Sequence, residues 1–150
     1  MNKPLKIIGI LMTAVLMVVA GVLLIQLIPY GHNHNNPPVT QEPNWNNQST
    51  KTLARRACMD CHSNETIWPW TSNIAPLSWL IQLDVDRGRR RLNFSTWQAS
   101  SNTSNTANRI AEKISNVEMP PFQYIIIHPE AILSAQEKQQ LIDGILATIK

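Results

Sequence analysis

The apolar positions of this chain are concentrated near its N-terminus, and polar stretches divide the remainder into shorter helical patterns. Residues 7–28 carry no charged side chain. As a helix they would rise about 33 Å, enough to cross the hydrocarbon core of a bilayer. Lys3 and Lys6 precede this stretch, and no Lys or Arg follows until Lys51. The pattern predicts one transmembrane helix within residues 1–28, with its N-terminus in the cytoplasm.

A cleaved signal peptide is the alternative interpretation of the same segment. The apolar stretch of a signal peptide is normally shorter, roughly 7–15 residues, and a small-residue cleavage site follows it. Residues 18–20, Val-Val-Ala, match such a site only in part, and apolar sequence continues beyond them. The length of the stretch therefore favours an uncleaved anchor.

Residues 29–48 are rich in Asn and Pro and show no apolar period. This composition is typical of an extended linker, so we predict an unstructured tether between the membrane and a domain that comprises residues 49–150. His32 and His34 lie in this tether and are interpreted as solvated polar residues.

Beyond the tether, apolar residues recur at helical spacing, which predicts an all-α domain. One helix is expected over 49–61, with Ser49 or Thr50 as its N-cap. A second begins near Pro76 and ends around Gly88, where a left-handed turn costs little. A third is expected over 105–117, after a polar loop at 100–109, and a fourth follows the capping-box pattern at Ser134.

Two short segments are harder to interpret. Residues 95–98 match a capping box and predict a further short helical turn. Residues 124–127 lie between Pro121 and Pro129 and are compatible with an extended backbone. The apolar content of the whole domain is thin for an independent core, which favours a large prosthetic group.

The balance of charges along the chain gives no support for nucleic-acid binding. The chain has 13 Lys and Arg against 10 Asp and Glu, and two of the basic residues flank the membrane segment. The remaining charges are therefore nearly balanced.

The most informative motif is Cys-Met-Asp-Cys-His at residues 58–62, which contains both cysteines of the chain. Cys-x-x-Cys-His is the attachment motif of c-type haem. Residues three apart on a helical turn share a face, so Cys58 and Cys61 can both form thioethers with haem vinyl groups. His62 is then the proximal iron ligand. We predict one covalent haem c, attached outside the cytoplasm.

Two other interpretations of the motif are weaker. A thioredoxin-like thiol pair belongs in a βαβ context, which the sequence lacks. A zinc site needs four ligands, and only Cys58, Cys61 and His62 cluster in the sequence.

The second axial ligand of a single-haem carrier usually comes from far along the chain. Met119 is the leading candidate because Pro120 and Pro121 stiffen the loop that carries it. His128 is the alternative ligand, and an open sixth position is a third possibility. Met119 could also be an ordinary core methionine.

These motifs together resemble a known family. The run at 58–66, the tryptophan-rich segment at 68–79, Met119-Pro120-Pro121 and the run at 128–131 are similar to the bacterial haem-binding domain family of cytochrome-c type. The resemblance covers about residues 30–150. It implies a small helical cytochrome c-like fold around one haem c, with His62 and Met119 as axial ligands, but it names no redox partner.

Tryptophans and arginines complete the candidate site. Trp70 and Trp79 are predicted to contact the haem, because large flat side chains exclude water from such a pocket. The basic cluster at Arg87, Arg89, Arg90 and Arg91 has three interpretations: a partner for a haem propionate, a docking patch for an acidic protein, or solvated surface.

The resulting hypothesis is an electron carrier rather than an enzyme. It is expected in a bacterial inner membrane, with the haem domain in the periplasm or on the outer face of the cytoplasmic membrane, and with unknown redox partner proteins. A haem-based sensor or a peroxidase-like enzyme is the alternative, and it requires a sixth position that is open or easily vacated. A thiol oxidoreductase without haem is a third hypothesis.

Overall fold

The computed structural model describes residues 3–98 and 103–149. Within these ranges the backbone forms seven α-helices, which we number in chain order: α1 (Lys3–Ile25), α2 (Gln48–Ala57), α3 (Met59–His62), α4 (Leu77–Arg91), α5 (Thr103–Ser115), α6 (Phe122–Ile127) and α7 (Ala135–Thr148). The same ranges contain two 3-10 helices, Trp70–Asn73 and Pro129–Ala131, and no strand beyond an isolated bridge between Gln41 and Thr96. The predicted all-α class is confirmed.

The chain divides into two compact units. The first, here called the anchor unit, comprises the residues up to 35 together with 68–83. The second, called the helical unit, comprises 36–67 and the residues from 84 onward. Helix α4 begins in the anchor unit and ends in the helical unit.

Helix α1 dominates the anchor unit. It has 23 residues, is long and apolar enough to cross a membrane, and none of its described side chains is buried. Gln26, which follows the helix directly, is joined to Ala75 by two hydrogen bonds. Its Nε2 donates to the Ala75 carbonyl oxygen at 3.0 Å, and the Ala75 amide donates to its Oε1 at 2.9 Å.

The segment predicted to be an unstructured tether has no regular element before Gln48, but its residues are held in place. In the anchor unit, His34 is half-buried; its Nε2 lies 2.9 Å from the Ser72 carbonyl oxygen and its ring stacks on Trp68. The Nε2 atom of His32 is also buried. The interpretation of both histidines as solvated residues is therefore wrong, because it rested on their position in a segment predicted to be unstructured.

The tether residues of the helical unit are fixed as well. The Asn64 side-chain amide donates to the Pro38 carbonyl oxygen at 3.0 Å, and the Thr40 amide donates to the Ser95 carbonyl oxygen at 2.9 Å. The ring centroids of Trp45 and Phe94 are 5.2 Å apart. These partners are distant in sequence, so the composition of the segment could not reveal them.

Helices α2, α5 and α7 surround the hydrophobic core of the helical unit. The apolar face predicted for the last helix packs here. Buried core residues include Leu53, Ala54, Ala57, Met59, Phe94, Ala107, Ile114, Leu133, Leu141, Ile145 and Ile149. Burial of these side chains is the main favourable contribution to folding.

Several helix boundaries differ from the prediction. The helix expected over 49–61 is two helices, α2 and α3, separated at Cys58, and its N-cap is Asn47, whose side chain accepts from the Thr50 amide at 2.8 Å. Helix α4 continues three residues past Gly88 to Arg91, so Gly88 does not end it. Helix α5 begins at Thr103, and the first residues of the loop predicted at 100–109 lie outside the described ranges.

Residues 95–98 and 124–127 also differ from the prediction. No helix begins at Ser95, because its hydroxyl instead accepts from the Asn64 amide at 2.9 Å. Residues 124–127 are helical rather than extended, since the Pro121 carbonyl oxygen starts the helix by accepting from the amides of Tyr124 and Ile125. The capping box at Ser134 is confirmed, with both of its hydrogen bonds to Glu137 present.

The capping box predicts a pH dependence. Hydrogen bonds from the Ser134 amide and from Arg56 lower the pKa of Glu137 from 4.5 to about 2. A carboxylate whose pKa is depressed by folding contributes stability above its unfolded pKa, and this contribution is lost as the pH falls from 4.5 towards 2. Over this pH range, the midpoint of thermal unfolding should fall more steeply with decreasing pH for the wild type than for Glu137→Gln. Glu112→Gln, an exposed substitution, is the control and should keep the wild-type slope. A slope unchanged by Glu137→Gln would contradict the assignment.

Candidate functional site

One cleft of the helical unit brings together Cys58, His62 and Met119. Its walls are mostly apolar and come from the ends of α2 and α4, from α5 and from α7. The other lining residues are Ala57, Arg91, Leu92, Phe94, Thr106, Arg109, Ile110, Lys113, Ile114, Leu141 and Ile145. Cys58 and His62 are neighbours in sequence, but Met119 reaches the cleft from a distant loop.

His62 is fixed through its backbone and its ring. The Phe94 amide donates to the His62 carbonyl oxygen at 2.8 Å, and His62 Nδ1 lies 3.0 Å from the Leu92 carbonyl oxygen. A carbonyl oxygen can only accept, so Nδ1 carries the proton and Nε2 keeps its lone pair. Burial lowers the pKa of His62, which favours the neutral ring. This is the tautomer that binds a metal through Nε2.

The two cysteines are free and partly buried. Burial raises the pKa of both thiols to about 12, and for Cys61 the nearby carboxylates of Asp84 and Asp60 add to the effect. Protonated thiols are poor nucleophiles, so this environment does not favour thiol–disulfide exchange. Cys58 lines the cleft, whereas Cys61 is not among the described lining residues.

Gly88 explains how the turn at residues 58–62, here called the attachment turn, is packed. A Cβ atom at this position would lie 2.2 Å from the Cys61 carbonyl oxygen and 3.0 Å from the Cys61 Cβ. Helix α4 can therefore approach the backbone of the turn only because Gly88 has no side chain. The sequence pattern predicts a helix end at this glycine and does not reveal the close approach.

Asp60, between the two cysteines, ties the attachment turn to α6. Its Oδ2 accepts from the Tyr124 hydroxyl at 2.6 Å, and its Oδ1 accepts from the Ile67 amide at 2.9 Å. Burial and the hydrogen bond to Asp60 both raise the pKa of Tyr124, so the phenol stays protonated and donates. This contact cannot be predicted from local sequence patterns, because Asp60 and Tyr124 are 64 residues apart.

Arg89 has a structural role that the sequence did not specify. Its guanidinium donates to the Ser63 carbonyl oxygen at 2.8 Å, to Asn36 Oδ1 at 2.8 Å and to Thr66 Oγ1 at 3.0 Å. The four arginines of the basic cluster therefore differ: Arg89 holds the chain that follows the motif, and Arg91 lines the cleft.

The loop that carries Met119 begins at the end of α5. The amides of Glu118 and Met119 both donate to the Lys113 carbonyl oxygen, at 3.0 and 3.2 Å. Val117 before them has φ +58°, a left-handed conformation that is costly for a β-branched residue. The chain thus reverses direction sharply and turns Met119 back to the cleft.

His128, the alternative ligand, lies elsewhere. Its Nδ1 is 2.9 Å from Glu130 Oε1, and its ring stacks on Tyr124 with centroids 4.3 Å apart. His128 is not among the described residues that line the cleft with His62.

The tryptophans predicted to contact haem belong to the anchor unit, where Trp70 is 75% exposed and Trp79 is half-buried. Neither is among the described residues of the cleft, and their contact with haem stays a prediction. Trp45 and Trp97 instead flank the buried Phe94, at 5.2 and 6.3 Å between ring centroids.

The residues that line the cleft fit a haem. The cleft is lined by an imidazole that is held at Nδ1, by a methionine and by mostly apolar side chains, and also by the basic residues Arg91, Arg109 and Lys113. It does not fit zinc bound by the protein alone, because the described residues contain no group of three or more His, Cys, Asp and Glu side chains that could hold a metal ion.

Comparison with known proteins agrees with this chemistry. A family model described as a haem-binding domain matches residues 20–147. No curated protein and no solved structure matches the chain.

The close approach at Gly88 generates a testable prediction. Gly88→Ala should destabilise the helical unit by about 1–3 kcal/mol, because the new methyl group has to displace the backbone of the attachment turn. Thermal unfolding of the full chain in detergent, followed by circular dichroism, measures the loss. Arg90→Ala, an exposed position on the same helix, is the matched control and should leave the midpoint nearly unchanged. Equal midpoints for the two variants would contradict the packing.

Proposed function

Because the chain belongs to the haem-binding domain family, we propose that it is a mono-haem c-type cytochrome that transfers electrons outside the cytoplasmic membrane. His62 and Met119 would bind its iron, and Cys58 and Cys61 would hold the haem covalently. The observation that carries this proposal is that His62, held by a hydrogen bond at Nδ1, and the distant Met119 line the same cleft.

The residues of the attachment turn have separate roles in this proposal. Cys58 and Cys61 provide thioether bonds, which prevent loss of the group. The Leu92 carbonyl oxygen holds His62 in the required tautomer, and a histidine that donates through Nδ1 is a stronger ligand through Nε2. Asp60 and Gly88 fix the turn from either side.

Haem iron, when bound, supplies a one-electron redox couple. With His62 and Met119 both engaged, the chain leaves no position for a substrate, so the residues around the metal only tune its potential. A methionine thioether raises the potential. The apolar side chains of the cleft, among them Ile114, Leu141 and Ile145, would limit the access of water to the iron.

Basic side chains at the cleft suit the two carboxylates of a haem. Arg91, Arg109 and Lys113 line it, and Arg91 and Arg109 are exposed. Arginine pairs with carboxylates through two parallel hydrogen bonds. Arg91 and Arg109 are our candidates for propionate partners, since Arg89 already holds three oxygen atoms of the protein and Lys113 is paired with Glu118.

The location follows from α1. An uncleaved α1 would hold the cytochrome at a bacterial inner membrane with its N-terminus in the cytoplasm, because Lys3 and Lys6 precede the apolar stretch. The helical unit would then face the periplasm, where c-type haem is attached and where soluble or membrane-bound redox proteins serve as partners.

The ligand assignment is tested by a pair of substitutions in the full-length protein. Met119→Ala should abolish the sulfur-to-iron charge-transfer band in the absorption spectrum of the oxidised form, because no other thioether replaces it. His128→Ala should keep the band. A band that survives Met119→Ala would disprove the assignment, and a spectral change only in His128→Ala would identify His128 as the ligand.

Carbon monoxide distinguishes the carrier from a haem-based sensor or a peroxidase-like enzyme. The reduced wild type should bind carbon monoxide slowly and incompletely, because Met119 has to leave first, whereas Met119→Ala should bind it rapidly. Rapid and complete binding by the wild type, measured by stopped-flow absorbance, would favour the sensor or the enzyme.

A further inference from the structure

Charged residues are distributed very unevenly between the two units. Apart from Lys3 and Lys6, residues 1–35 contain no Asp, Glu, Lys or Arg, and residues 68–83 contain none at all. Every other charged residue of the chain lies in 36–67 or beyond 83. The part of the anchor unit that follows the span is therefore uncharged, although it carries polar side chains.

The same segment exposes large apolar side chains. Trp70 is 75% exposed, Leu80 58%, Leu77 46% and Ile74 42%. Leu77 and Leu80 are three residues apart on α4 and so share a helix face. Single exposed apolar residues are ordinary, but four within eleven residues of an uncharged segment need a partner surface.

Hydrogen bonds fix the position of this segment along the span. Helix α1 rises about 35 Å, slightly more than the roughly 30 Å hydrocarbon core, and Gln26 comes directly after it. The two hydrogen bonds between Gln26 and Ala75 therefore hold Ala75 at the end of the span. Gly31 adds a second contact, since a Cβ there would lie 2.6 Å from the carbonyl of Ser78. Both contacts join the end of the anchor to the segment 68–83.

We infer that residues 68–83 lie in the interfacial layer of the membrane, with Trp70, Ile74, Leu77 and Leu80 in contact with lipid. For Trp70 this contact replaces the predicted contact with haem. The inference rests on the proposed function only in that α1 is a membrane anchor. Tryptophan is enriched at this depth because its ring is apolar and its N–H is polar. An uncharged segment enters the layer without the cost of desolvating an ion, and its apolar side chains leave water.

A protein partner is less well supported as the occupant of this surface. Protein docking surfaces usually carry a polar rim whose charges steer the encounter, and this segment has no charge. The contacts with the end of α1 also place the surface at the bilayer whether or not another protein is present.

Thiol accessibility tests the inference on the full-length haem protein, one copy per nanodisc of phosphatidylethanolamine and phosphatidylglycerol. Leu77→Cys and Leu80→Cys are treated separately with a water-soluble maleimide, and the wild type measures the reaction of Cys58 and Cys61. Ile132→Cys is the matched control, because Ile132 is also apolar, is 59% exposed and belongs to the helical unit. Leu16→Cys, in the middle of α1, reports on the anchor.

We expect Leu77→Cys and Leu80→Cys to react on the order of tenfold more slowly than Ile132→Cys, because the reactive thiolate needs water. Leu16→Cys should not react until the protein is denatured. If positions 77 and 80 react as fast as 132 while 16 is protected, the span is correct and the interfacial contact is wrong. If 16 also reacts rapidly, the anchor itself is wrong, and the inference is overturned with it.

Discussion

The hydrogen bond between His62 Nδ1 and the Leu92 carbonyl oxygen is the interaction on which the site depends. It forms only when Nδ1 carries the proton, so it selects the tautomer whose Nε2 can bind iron. The carbonyl is in place because the chain after α4 turns back over the attachment motif, where the Phe94 amide donates to the His62 carbonyl oxygen. Gly88 lets α4 come close enough for this arrangement. The packing of α4 against the turn at residues 58–62 therefore determines which ring nitrogen of His62 carries the proton.

The two units expose different kinds of surface, one charged and one uncharged and apolar. The helical unit carries almost all of the charge, buries the hydrophobic core and contains the cleft. The anchor unit has no Asp, Glu, Lys or Arg after Lys6, and it exposes apolar side chains both on α1 and between Trp70 and Leu80. A charged surface is stable in water, whereas an uncharged apolar one is stable at or within lipid. Helix α4 belongs to both units, and its sequence changes character accordingly, from uncharged at Leu77 to basic at Arg91.

Local patterns in the sequence predicted the helical class, the capping box of α7 and the grouping of Cys58 with His62, because each depends on residues close in sequence. The meeting of Met119 with His62 was predicted from ligand chemistry and family resemblance, and the structure brings both to one cleft. Contacts between distant residues were missed. The Tyr124–Asp60 hydrogen bond depends on how helices pack, and the ordered tether depends on partners in another part of the chain. Composition identifies a polar segment but not what it binds.

The proposed haem site depends on thioether bonds from Cys58 and Cys61 and on coordination of the iron by His62. A mass spectrum of the full-length chain, purified after expression with a haem-attachment system and then denatured, tests it most directly. The expected mass is that of the chain plus one haem, with neither Cys58 nor Cys61 available to an alkylating reagent. The mass of the bare chain, with both thiols alkylated, would contradict it.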